Sequence, residues 1–279
     1  MTAEISQRSL DPCGVRRLVT IEDRSAEWPV VAIGNAWSRR YYGGSFHLFD
    51  APASSPAISL VFVQSRNGNT GADNPADLGG GPTDKYLIYE GLSRVAADGV
   101  MAGAATVGKS VLFNITHREL IALRRDLGLP RHPAQIVLSE EGNIDLSARL
   151  FSQPHIPVFL LAGRQCVEKH QRHVRERLWI TMMPTNGDLK TTLTKLRQEH
   201  GIARISCVGG RTVATTLVDA GLVQDLYLTT STIDAGEPDT PWYAGDQPPK
   251  LSVIVRKREE TPDRPIAFEH LAIGSPATR

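Results

Sequence analysis

The chain has 279 residues, of which 41% are hydrophobic and 22% charged, and its formal net charge is +1. A chain this long can bury roughly three quarters of its unfolded surface, enough for one large domain or a domain with a small appendage. Near-neutral charge without a lysine- or arginine-rich stretch gives nucleic acid or an anionic membrane no electrostatic hold, and no apolar run approaches the roughly 20 residues that cross a bilayer.

From Met1 to about Pro56 the sequence is uneven, with Trp28, Trp37, Tyr41, Tyr42 and Phe46 set among polar residues. It closes on the Pro/Ser/Ala-rich joint APASSPA, which reads as a linker. Residues 1–56 are therefore expected to form an arm that wraps the main body, residues 57–279, or a partner subunit. The opening MTAEISQRSLDP is polar, places Glu4 before any basic residue and lacks the apolar segment of a signal peptide. Cys13, Cys166 and Cys207 are odd in number and far apart, so a reducing cytoplasm is the expected location.

The main body alternates strands and helices. Ala57–Val63 is a short apolar, β-branched run that reads as a buried strand. A Gly/Asn/Asp/Pro-rich loop follows, residues 65–81. Thr83 or Asp84 is placed to cap a helix reaching about Ala97. Gly99–Gly103 reads as a central strand, and Gln135–Leu138 and Val158–Ala162 as two more. Leu189, Leu193 and Leu196 have helical spacing between Asp188 and His200. Arg204–Val208 is the next strand and Thr212–Asp219 the next helix. Gln224–Thr230 alternates like a half-exposed strand, suited to an edge or a dimer interface. Leu251–Arg256 and Ile266–Ile273 flank a polar turn with Pro262 and Pro265 and predict an antiparallel hairpin. Repeated strand–helix–strand units predict an α/β fold whose mixed central sheet is mostly parallel.

Ile205 to Ala214 carries the strongest chemical signal. A buried strand runs into Gly209-Gly210 and a helix begins at once with Arg211 and Thr212. Glycines allow a sharp turn and a close ligand approach, and the new helix presents unpaired N–H groups to a pyrophosphate. Such a junction serves packing about as often as phosphate binding, and the GxGxxG fingerprint is absent. Gly103-Ala104-Ala105-Thr106 is a second small-residue turn after a strand, where open α/β sheets bind flat ligands.

These pieces resemble the reductase domain of the riboflavin-biosynthesis deaminase/reductase family, the RibD C-terminal domain. The resemblance runs through Ser65-Arg66-Asn67-Gly68, Arg94 to Val100, Gly103 to Val107, Val208 to Val213 and Ala220 to Asp225, in the family's order. It implies a dihydrofolate-reductase-like three-layer sandwich with the C-terminal hairpin, a homodimer, and NADPH as hydride donor. The implied cofactor contacts are Gly103, Thr106, Gly209, Gly210, Arg211, Thr212, Val213, Ala214 and Thr215. The implied substrate contacts are Arg94, for an anionic group, with Asn67 and Ser110. The expected activity is NADPH-dependent reduction of a small polar substrate, resembling 5-amino-6-(5-phosphoribosylamino)uracil reductase. Departures fall on the substrate side: Val208 replaces a glutamate, Asn67 an aspartate, and Gly108-Lys109-Ser110 an acidic stretch. Dihydrofolate or another pterin, and a non-catalytic nucleotide-binding role, stay open as alternatives.

Other groups carry less. His117-Arg118-Glu119 matches half of a zinc-deaminase signature but no P-C-x-x-C follows, so no metal is expected. His170 and His173 sit in a charge run that reads as surface. Glu140 and Glu141 read as solvated loop. Arg164 and Arg211 are placed to meet a 2′-phosphate, and Asp98 reads as a structural residue at a helix-to-strand junction. No general acid is evident.

Overall fold

The structure, a computed structural model, describes residues 8–108, 110–261 and 263–274; Glu4, Lys109 and Pro262 lie outside them. Its strands are β1 (Leu18–Asp23), β2 (Val30–Ile33), β3 (Phe46–Phe49), β4 (Ala57–Gln64), β5 (Gly99–Gly103), β6 (Ala134–Ser139), β7 (Val158–Ala162), β8 (Ile180–Pro184), β9 (Arg204–Cys207), β10 (Asp225–Thr230), β11 (Leu251–Glu259) and β12 (Ala267–Ile273). Among the described residues, ten of these form one sheet in the order β1-β11-β12-β10-β4-β9-β5-β6-β7-β8, and β2 pairs with β3 alone. From β10 to β8 every neighbouring pair is parallel. The C-terminal hairpin and β1 add antiparallel strands at one side.

The helices are α1 (Ala36–Tyr41), α2, α3 (Arg118–Asp126), α4 (Arg164–Arg175), α5 (Leu189–His200) and α6 (Arg211–Asp219). Helix α2 is wound as a π-helix over Thr83–Leu92 and as an α-helix over Ser93–Val95. Right-handed crossovers dictate which face each helix covers. The β4–α2–β5, β5–α3–β6 and β7–α4–β8 units step one way and lay their helices on one face. The chain then steps back, and α5 and α6 cover the opposite face through Leu193, Leu196, Val213 and Leu217. Met101 and Val100, neighbours on β5, belong to the two different cores, as the period-two pleat requires.

The segment before β4 is built into the first of these faces. Leu10, Leu18, Trp37, Tyr42 and Phe46 pack with Leu87, Leu120 and Phe268, and β1 pairs with β11. Helix α5 begins where Asp188 accepts a hydrogen bond from the Thr191 amide at 3.0 Å.

Two local expectations are corrected. Strand β10 is interior, between β4 and β12, and buried from Asp225 to Thr229. Its alternation of polar and apolar residues reflects a polar inner face, where Tyr227 joins the core under α2, rather than solvent. Neither Thr83 nor Asp84 caps α2: the Thr83 hydroxyl accepts from the Arg16 amide at 3.0 Å, and no side chain bonds the first turn of the helix.

Candidate functional site

The carboxyl ends of the parallel strands bring the sequence-predicted turns into one row. In sheet order they are the Ser65–Gly68 turn after β4, Gly209-Gly210 after β9, Thr106 after β5, Glu140 after β6 and Arg164 after β7. Chain direction reverses here, since β5 to β8 step outward while β9 returns between β4 and β5, and open sheets bind ligands at such a switch point.

Backbone bonds join the two glycine turns. The Gly103 amide donates to Gly209 O at 3.0 Å and the Val208 amide to Met101 O at 2.9 Å. Gly209 has φ +128°, a conformation open to glycine. A Cβ on Gly209 would meet only Thr106 Oγ1, at 3.9 Å, and one on Gly210 the same atom at 3.5 Å. The space over the glycines is thus open and bounded by the Thr106 hydroxyl. Gly210 caps α6 with no side chain bonded to the first turn, so the leading N–H groups of this nine-residue helix remain available to an anion. These features fit a dinucleotide pyrophosphate.

The nine residues expected at the cofactor divide by what their side chains do. Thr212 is exposed and Arg211 half-buried, with Nη1 3.3 Å from Asp239 O. Val213 and Ala214 face the core, which leaves only their backbone toward a ligand. Thr215 accepts a hydrogen bond from the Ala244 amide at 3.0 Å. Gly103 serves packing: a Cβ there would stand 2.8 Å from Val213 Cγ2. Arg164 is 90% exposed in its side chain and pairs with Glu168 at 2.9 Å.

On the substrate side, Asn67 and Ser110 are exposed at the same edge, and Ser65 Oγ bonds both Asn67 and Ala235 O, tying two loops together. Arg94 lies one turn before Asp98, whose backbone pairs with Arg204 and Ala134 at the opposite strand ends. Its guanidinium is buried over the Tyr89 ring at 4.0 Å and donates to Asn114 O at 2.9 Å. Val208, Tyr89, Val107 and Val111 are each partly buried against the same core, so an apolar side chain stands where the resemblance places a glutamate.

Sequence reasoning missed Asp84. It sits on the first turn of α2, facing the carboxyl-end residue Thr229 of β10. Burial pushes its carboxyl up to about 6, with the Thr229 hydroxyl opposing the rise. A carboxyl held near neutrality beside a binding edge is a candidate proton carrier. The only sequence signal was an acid at a helix start, which read as a cap.

The remaining groups are structural in their contacts. Asp98 Oδ2 accepts from the Ala203 and Arg204 amides, both at 2.8 Å. His170 is buried against Gly142 O at 2.7 Å while His173 faces solvent. Among the described residues no cluster of three His, Cys, Asp or Glu is arranged to hold a metal, and no helix is long and apolar enough to cross a membrane. A small cavity lined by Ser59, Ser93, Ser206 and Tyr227 lies at the other end of β4 and β9 and contains none of the expected site residues.

A doubly wound sheet with a glycine cradle at its switch point and a closing antiparallel hairpin is the dihydrofolate-reductase-like α/β architecture, and the solved structures bear this out. A pyrimidine reductase-like protein from Corynebacterium diphtheriae superposes with a TM-score of 0.57 at 19% identity, covering 79% of this chain and 93% of that one. RibD from Acinetobacter baumannii gives 0.61 at 15% identity, covering 80% of this chain and 59% of its own length. The riboflavin biosynthesis reductase of Saccharomyces cerevisiae gives 0.55 at 18%, covering 79% and 92%. No curated protein matches the chain in sequence. Residues 82–263 match the RibD C-terminal domain, and the chain belongs to that reductase family.

Proposed function

We propose that this chain is an NADPH-dependent reductase whose cofactor phosphates lie over Gly209-Gly210 and the start of α6. The observation that carries this reading is the open, Thr106-bounded space above two glycines joined to β5 through Gly103 and Gly209. The bound cofactor would supply the hydride, and the protein's part is to orient it and exclude water. The Thr106 hydroxyl and the leading α6 amides hold the cofactor. Arg211, at the start of α6, and Arg164, at the start of α4, are the cations that hold its 2′-phosphate.

The substrate is a small heterocycle related to 5-amino-6-(5-phosphoribosylamino)uracil. Asp84 accepts hydrogen bonds from its ring N–H groups and holds or releases the proton that accompanies reduction, while Tyr89, Val107 and Val208 flank the ring. The apolar side chain at Val208 favours a flat ring over an extended polyol at that point, which keeps dihydrofolate and other pterins as a second substrate reading.

Titration with NADPH, followed by nicotinamide fluorescence, is expected to saturate in the micromolar range, on the order of common cofactor affinities. Absence of binding at millimolar NADPH overturns the reading. Loss of absorbance at 340 nm with the phosphoribosylamino-pyrimidine or with dihydrofolate then distinguishes the two substrates.

A further inference from the structure

A second group of reactive side chains lies away from the glycine cradle, where the segment before β4 meets α2 and α3. Cys13 Sγ stands 3.6 Å from His117 Nε2, and His117 Nδ1 stands 2.9 Å from Glu90 Oε1. His117 is fully buried and Cys13 half-buried. Cys13 precedes residues 82–263, which match the reductase family and contain both His117 and Glu90. The N-terminal segment therefore completes a three-residue array that the domain alone does not have.

The hydrogen-bond pattern sets the direction of each proton. Glu90 Oε1 also receives the Thr116 amide at 2.7 Å and the Thr116 hydroxyl at 3.1 Å. Burial alone would raise this carboxyl, but the His117 and Thr116 bonds outweigh it and hold Glu90 below the usual carboxylate range. An ionised Glu90 only accepts, so His117 carries its proton on Nδ1 and turns the Nε2 lone pair to the thiol. The Tyr86 ring lies edge-on at 4.9 Å and fixes the imidazole plane. Cys13 Sγ also lies 3.3 Å from Ser9 O, the alternative acceptor for the same thiol proton. A nucleophile within reach of a base that a third group orients is the geometry of an activated nucleophile.

We propose that Cys13 is a nucleophilic thiol, activated by His117 and Glu90, that forms covalent adducts with soft carbon electrophiles such as α,β-unsaturated carbonyl compounds. In the addition, the Cys13 sulfur forms a bond to the β-carbon as the carbon–carbon π bond breaks. The thiol proton passes to His117 Nε2 and from there to the α-carbon, so no oxidant or reductant takes part.

N-ethylmaleimide at pH 7, with digestion and mass spectrometry of the three cysteine peptides, tests this. Cys166 and Cys207 are fully buried and serve as internal references. The Cys13 adduct is expected to form faster than the adduct of free N-acetylcysteine at the same pH, and at least tenfold faster than at Cys166 or Cys207. His117→Gln, which keeps a donor to Glu90 but lacks the base, is expected to slow Cys13 labelling by about tenfold or more while circular dichroism stays native. Glu90→Gln is expected to slow it as well. A wild-type rate below that of the free thiol overturns the proposal without recourse to any variant. An unchanged rate in folded His117→Gln overturns it too.

Discussion

Gly103 on β5 and Val213 on α6 approach so closely that a Cβ at position 103 would lie 2.8 Å from Val213 Cγ2. This contact seats the start of α6 against the sheet and so fixes where its leading amides point. Gly103→Ala is expected to destabilise the fold by about 1–3 kcal/mol through overpacking. It should also weaken NADPH binding, because the Gly103 amide bonds the Gly209 carbonyl. Urea unfolding and cofactor titration check the two effects, and an unaltered affinity would mean the cradle does not depend on this contact.

Asp84 links stability and activity to pH. Its carboxyl is raised to about 6 in the fold, above the ordinary 3.8. Between these values the native state holds a proton that the unfolded chain has released, so stability falls as pH rises through this window. Asp84→Asn removes the penalty and is expected to raise Tm at pH 7 but not at pH 4. The same substitution should lower reductase turnover by about tenfold or more, since the proposed proton carrier is gone. Melting curves at the two pH values and initial rates at pH 7 are the measurements.

Arg211 and Arg164 are the proposed 2′-phosphate partners, and their present contacts are single ones, to Asp239 O and Glu168. Arg211→Gln and Arg164→Gln together should weaken NADPH by about tenfold or more while leaving NADH nearly unchanged, as loss of a charged hydrogen bond predicts. Equal losses for both cofactors would place the 2′-phosphate elsewhere.

Arg124 is fully buried on α3 and donates to four backbone carbonyls, those of Arg94, Val95, Ala97 and Pro130. Burial lowers its guanidinium to about 10. Arg124→Ala strands these acceptors and opens a cavity, with an expected loss of about 3 kcal/mol or more. Arg124→Lys should recover little, because an ammonium cannot span the fork. Chemical denaturation of the pair decides it.

Lys257 is buried beneath the Tyr42 ring, 4.3 Å from its centroid, with Nζ on Thr20 Oγ1 at 2.7 Å. Burial lowers its ammonium to about 8 from 10.5. Above pH 8 the native state releases this proton before the unfolded chain does, so the group's cost is full below pH 8 and is relieved as pH rises toward 10.5. Lys257→Met is expected to raise Tm at pH 7, with the gain shrinking by pH 9.

Much of the fold was legible because continuous apolar runs such as Val158–Ala162 can be satisfied only in a sheet interior, and β7 has those bounds. The glycine turns were legible for a similar reason, since Gly209 occupies a positive-φ conformation that residues with a side chain rarely adopt. What stayed hidden depends on pairing across long distances in the chain. Strand β1 keeps a polar outer side, and only its contact with β11 makes it a strand. In Arg118–Asp126 the run of arginines looks like a solvated surface, yet Arg124 is buried because carbonyls far along the chain need its donors. Asp84 and Arg94 likewise take their roles from partners that no local spacing encodes: Thr229 for one, Asn114 and the Tyr89 ring for the other.

Strand β9 enters the sheet between β4 and β5, pairing Ala57 with Arg204. The two strands that flank it are made long before it, so during synthesis they must wait without their shared neighbour, and the loops closed by β9 are long. Folding of the glycine cradle is therefore expected to be late and slow, set by topology rather than by local propensity. A nascent chain stalled before Arg204 would expose the facing edges of β4 and β5 to aggregation.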